Sequence, residues 1–152
     1  MAPDIVREIL RCLERINDPL IRRIAKEEKI PWPGQDEAVW PRADLSGELN
    51  TGEKFIIEVD DHDDPARSVV KYWPLLEAVQ QGRFSFPPIF FIEVSSPDNT
   101  HGYGYQLLAQ FIGKQFEKQY PKVFRFAYLA LADREAEDLA TAILGLLRGE
   151  GS

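Results

Sequence analysis

Cysteine is almost missing: Cys12 is the single one in 152 residues, so no disulfide can close within the chain and no cysteine cluster can hold zinc. No stretch approaches the roughly 20 apolar residues that cross a bilayer. Met1-Ala2-Pro3-Asp4 opens on an acid with no long apolar run behind it, unlike a secretory signal. These absences predict a cytoplasmic protein with no membrane association. There is no Walker loop, no dinucleotide fingerprint and no serine or cysteine nucleophile motif, and Gly102-Tyr103-Gly104 is too little for a phosphate loop. No repeat, low-complexity tract or linker divides the sequence, which predicts a single domain over residues 1–152, large enough for its own core. Positive charge is also short. Lys and Arg number 18 against 25 Asp and Glu, for a net charge of -7. Nucleic acid is bound by neutralising phosphates, so this balance weighs against binding by bulk attraction. Local basic patches (Arg7, Arg11, Arg15, Arg22, Arg23, Lys26) or an acidic site offset by bound cations remain compatible with it.

What is present is an ordinary globular composition, 44% hydrophobic and 28% charged. Asp4 to Arg15 carries Ile5, Ile9, Leu13 and Ile16 at helical spacing. Asp18-Pro19 reads as the cap and first position of a second helix through Lys29, and Pro31-Trp32-Pro33-Gly34 as a loop. Asp44–Leu49 and Lys54–Asp60 flank Asn50-Thr51-Gly52, the signature of a hairpin with a three-residue turn. Asp64-Pro65 starts a helix that Pro74 should kink and Gly82 should end. Ile89–Val94 and Val123–Leu131 read as buried strands, Gly104–Lys118 and Glu135–Leu147 as helices. The order predicts an α/β fold with a mixed central sheet, its hairpin joined to parallel strands by helical crossovers.

The hairpin gathers acids. Pairing Leu49 with Glu53 sets Asp44 opposite Glu58, and the next even register sets Asp44 opposite Asp60. Either one leaves Leu45, Leu49, Phe55, Ile57 and Val59 on one face. Asp44, Ser46, Glu58 and Asp60 fall on the other, with Ile56 the misfit. Three carboxylates at one end of a face form a hard-oxygen set suited to Mg²⁺ or Mn²⁺, which could activate water against a phosphodiester. The same letters also suit a strand running into a solvated acidic turn.

Arg42-Ala43-Asp44-Leu45 and Ile57-Glu58-Val59-Asp60 resemble the two halves of the motif of the PD-(D/E)XK, or restriction-endonuclease-like, nuclease superfamily. The order of elements over most of the chain is similar to that superfamily's core. The resemblance implies a three-layer fold, with Asp44 and Glu58 as metal ligands and a Mg²⁺-dependent nuclease acting on DNA or RNA, DNA being favoured; the convergence of acids on the hairpin adds Asp60 as a third candidate ligand. One departure stands out: Asp60 occupies the slot of the superfamily's catalytic lysine. Lys71, in the following helix, is the residue that could supply the cation from a displaced position, whereas Lys54 lies near the far end of the hairpin. The alternative is a catalytically inactive domain of the same fold that binds or assembles through a protein partner. A homodimer is compatible with either.

Among other residues, His62 and His101 lie in loops that could approach a site or simply be solvated. Glu93, inside the apolar run, either joins the acids or points from an exposed edge. Glu8 could reach the sheet from the first helix or stay in solvent. Trp32, Trp40, Trp73 and Tyr72 could stack bases, but aromatics at helical spacing or beside prolines more often pack the core.

Overall fold

The computed structural model describes residues 3–60, 64–96, 105–132 and 134–150. Its element order is α1 (Pro3–Ile16), β1 (Ile21–Lys29), a short 3₁₀ turn at Glu37–Val39, β2 (Arg42–Leu49), β3 (Lys54–Asp60), α2 (Pro65–Val70), α3 (Trp73–Gln80), β4 (Ile89–Ser95), α4 (Tyr105–Gln119), β5 (Phe124–Ala130) and α5 (Ala136–Leu147). The five strands form one sheet in the order β1-β2-β3-β4-β5. β1, β2 and β3 are antiparallel neighbours, and β3, β4 and β5 run parallel through helical crossovers. The fold is therefore α/β with a mixed sheet flanked by helices. No helix among the described residues is long and apolar enough to cross a membrane.

Two cores sandwich the sheet. Leu45, Leu49, Phe55, Ile57 and Val59 share one with Ile9 and Leu13 of α1 and Leu139, Ile143 and Leu144 of α5. The predicted apolar face of the hairpin lies here. The opposite face is also covered: Ile56 packs with Tyr72, Leu75, Leu76, Phe91, Ala109 and Phe126 beneath α2, α3 and α4. Ile56 is thus no misfit, because the face that carries the acids is itself half core. Gly113 belongs to this contact, since a Cβ there would sit 2.3 Å from the Phe126 ring. Only glycine lets α4 lie this close to β5.

One predicted element is overturned. Ile21–Lys29 is the edge strand β1, not a second helix. Its residues are good helix formers, but local preference gives way to a ladder with β2, from Ile21 opposite Leu49 to Lys29 opposite Arg42. The Asp18 side chain accepts from the Leu20 backbone N–H at 2.8 Å, so it closes a turn into the strand rather than capping a helix. Charged side chains on an edge also discourage pairing with another chain. Further along, the helix expected from Asp64 is two helices. Asp64 does cap it, accepting from Ala66 N at 2.9 Å. The break falls at Lys71-Tyr72, ahead of Pro74, whose ring would clash with the carbonyl four residues back.

Candidate functional site

Hairpin register fixes the first two acids. Leu45 faces Ile57, Glu48 faces Lys54, and Leu49 N donates to Glu53 O at 2.8 Å across a turn whose Gly52 takes φ 95°. This is the first of the two even registers, with Asp44 at the position opposite Glu58. Beyond Leu45 side chains take over the ladder. Val59 N donates to Asp44 Oδ2 at 2.8 Å, and Asp44 N donates to Glu58 Oε2 at 3.3 Å. Asp44 thereby accepts from the residue after Glu58, Glu58 accepts from the backbone of Asp44 itself, and the pair is fixed by the chain.

The parallel register of β3 with β4 adds more acid. Glu58 lies opposite Glu93, and Asp60 opposite Ser95. Glu93 is fully buried on a central strand, so it joins the acids rather than pointing from an edge. Asp60 Oδ2 and both Glu93 oxygens are buried with no donor directed at them. Burial, followed by the neighbouring Asp60 carboxyl, pushes Glu93 well above the usual carboxylate range. That direction favours the protonated form of Glu93 beside Asp60. Ser95 Oγ and Tyr128 OH are within 2.9 Å of each other at the same end of the sheet.

Glu58 is held by side chains as well. Lys71 Nζ donates to Oε1 at 3.0 Å and Tyr72 OH donates to Oε2 at 2.8 Å. Neighbouring residues of a continuous helix point about 100° apart; these two reach one carboxylate from the break between α2 and α3. Tyr72 is seated by an edge-on contact with Phe91 at 5.5 Å between ring centres. Burial pushes Glu58 up to about 8, with Lys71 pulling it down and Asp44 pushing it further up. Burial and then Glu58 push the Tyr72 hydroxyl well above its usual value, so it remains a donor.

These groups open into a cleft of about 490 Å³ lined by the acids Glu27, Asp44, Glu58, Asp60 and Asp64 and the cations Lys26, Arg42, Arg67 and Lys71. The cleft sits at the carboxyl end of β3, beside the start of β2 and α2; the carboxyl ends of strands are a usual place for a crevice in an open α/β sheet. The basic residues it draws on are those of β1, the start of β2 and α2. Arg11 of the N-terminal group instead pairs with Glu8, and that pair is exposed.

The structure brings together Asp44, Glu58, Asp60 and Lys71. Lys54 is at the other end, buried and ion-paired with Glu28, which also accepts from Ser46 and Arg23. His62 and His101 lie outside the described residues. Among the described residues no group of three or more acids, histidines or cysteines is placed to hold a metal ion. Tyr72 was not singled out as a donor from sequence; its helical spacing looks like core, and it is core and ligand of Glu58 at once. No family model matches the chain, and no curated protein or solved structure matches it significantly.

Proposed function

We propose that the chain is a metal-dependent nuclease-like domain that hydrolyses phosphodiester bonds of nucleic acid, DNA first. The observation that carries the reading is the convergence of Asp44, Glu58 and Lys71 in one cleft, with the lysine on the carboxylate at 3.0 Å. A Mg²⁺ site needs only one or two carboxylates, with water and substrate phosphate completing it. Asp44 and Glu58 meet that need without a third acid, and the hard-oxygen set suits Mg²⁺ or Mn²⁺. Asp60, expected as a third ligand, has Glu93 beside it as well.

In this reading Asp44 and Glu58 hold the ion, which when bound lowers the pKa of water and stabilises charge on the leaving oxygen. Lys71 holds a positive charge where the lysine of such nucleases is wanted, although it comes from the helix and not from the Asp60 position. Its ammonium donates to Glu58 at 3.0 Å and, with Glu58 engaged on a cation, would be placed to donate to a phosphate oxygen. Lys26, Arg42 and Arg67 line the approach and offset the acids for a polyanion.

The test is cleavage of labelled single- and double-stranded DNA and RNA by the full chain, in Mg²⁺ or Mn²⁺ and in EDTA. Cleavage that needs the cation and is lost in Asp44→Asn, with the fold kept by circular dichroism, supports the reading. Asn retains an acceptor for Val59 N–H. No cleavage of any substrate by the folded protein replaces it with the second reading, a binding or assembly domain that has lost chemistry. Asp60 in the lysine slot is the feature that favours that alternative.

A further inference from the structure

The break between α2 and α3 leaves a carbonyl to be satisfied. In a continuous helix Lys71 C=O would accept from Leu75 N–H; here Leu75 N donates to Tyr72 O instead, at 3.1 Å. The indole of Trp32 fills the vacancy, donating from Nε1 to Lys71 O at 2.7 Å. Trp32 lies in the segment 31–41 between β1 and β2, far away in sequence. That segment is closed at its neck by Ile30 N donating to Pro41 O at 2.8 Å, and Ile30 is fully buried. Inside it, Gln35 N donates to Trp32 O, and Trp40 Nε1 donates to Gln35 O, both at 3.0 Å. Residues flanking it, Lys26, Glu27 and Arg42, line the same cleft as Lys71.

We infer that Trp32 is the positioning residue for Lys71: its indole N–H pins the backbone of the helix break and so aims the lysine ammonium at Glu58. The inference rests on the reading of Lys71 as the cation of the site, but its geometry stands independently of any activity. A lysine side chain has about four rotatable bonds and considerable rotamer entropy, so an ion pair alone holds it loosely. Fixing its Cα and the direction of its first bond removes much of that freedom. The ring must sit on the break and the N–H must point at the carbonyl; phenylalanine supplies the first and not the second.

The experiment measures the rate at which Lys71 is acetylated by an N-hydroxysuccinimide ester of acetate, read by peptide mass spectrometry on the full chain. Lys71 is about one-quarter exposed and paired, so its rate reports how often the ammonium leaves Glu58. In Trp32→Phe the Lys71 rate should rise roughly three- to tenfold, the range expected for loss of one hydrogen bond. Exposed Lys118 and Lys122 should be unchanged. Trp40→Phe, which removes a bond internal to the loop, should leave the Lys71 rate as in the parent. An unchanged Lys71 rate in Trp32→Phe, or an equal rise in Trp40→Phe, overturns the inference. Should Trp32→Phe not fold, benzothienylalanine at position 32 keeps the shape and lacks the N–H, and the same rise is expected. If cation-dependent cleavage is present, Trp32→Phe should lower kcat with KM little changed. If Lys71 responds while the parent cleaves nothing, positioning holds and the nuclease reading fails.

Discussion

Replacing Glu58 by Gln removes a charge from a site where it is costly. Glu58 is 3% exposed, and burial raises it from 4.5 to about 8 despite the ammonium beside it. An acid whose folded pKa lies above its unfolded one stabilises the fold fully below the lower value and loses that contribution as pH rises through the upper one. The interval from 4.5 to about 8 is worth about 5 kcal/mol at 1.36 kcal/mol per pH unit. Glutamine keeps the shape and an acceptor for Tyr72 OH, but leaves Lys71 without its carboxylate, a loss of about 1 kcal/mol for a partly exposed pair. Glu58→Gln should therefore match the parent at pH 4.5 and exceed it by a few kcal/mol at pH 9. Glu93 is buried in both proteins, and because Glu58 ranks behind burial and Asp60 among the causes of its raised pKa, most of its contribution cancels in the difference. Urea unfolding in EDTA at several pH values between 4.5 and 9 measures it. A variant less stable than the parent at pH 9, or one with the same dependence on pH, refutes the reasoning. The expected outcome is a stability gain with loss of any cation-dependent activity, because the charge is then retained for the site and against the fold.

Tyr72→Phe removes a donor from ionised Glu58, so it should destabilise by about 1–3 kcal/mol above pH 8 and by less at pH 5, as read by the same urea titrations. Asp44→Ala leaves Val59 N–H without its acceptor and should cost about 1–3 kcal/mol in unfolding free energy, whereas Asp44→Asn should cost less. Gly113→Ala puts a methyl into the Phe126 ring and should lower stability by about 1–3 kcal/mol, measured by thermal unfolding; an unchanged midpoint would mean that α4 does not lie as close to β5 as described.

Periodicity carried much of the fold. The turn at Asn50-Thr51-Gly52 and the alternation of Leu45, Leu49, Phe55, Ile57 and Val59 left two hairpin registers, and the structure takes one of them. Ile89–Val94 is as covered on both faces as its apolar run implies, Glu93 within it included. β1 was not legible, because Arg22, Arg23, Lys26, Glu27 and Glu28 satisfy a solvated helix equally well. Only the partner strand decides, and a partner strand is not a local property. The convergence of Asp44, Glu58 and Asp60 could be read from strand alternation, since alternation is geometry. The reach of Lys71 could be raised as a possibility but not decided, since it depends on where the helix breaks. Tyr72 and Trp32 were hidden for the same reason: both look like packing residues, and the hydrogen bond each makes lies with a residue 14 or 39 positions away.

The closed neck at Ile30 and Pro41 has a consequence for how this chain can change. With the two ends already joined by a hydrogen bond, residues 33–40 hang from the sheet as a side loop, and doubling such a loop costs only about 0.6 kcal/mol in closure entropy. Insertions there leave the strand ladder and both cores untouched, provided that Trp32 keeps its place. The loop is thus an interchangeable part joined to the sheet between two strands that line the cleft, free to be lengthened or rewritten while the acids remain bolted to the sheet.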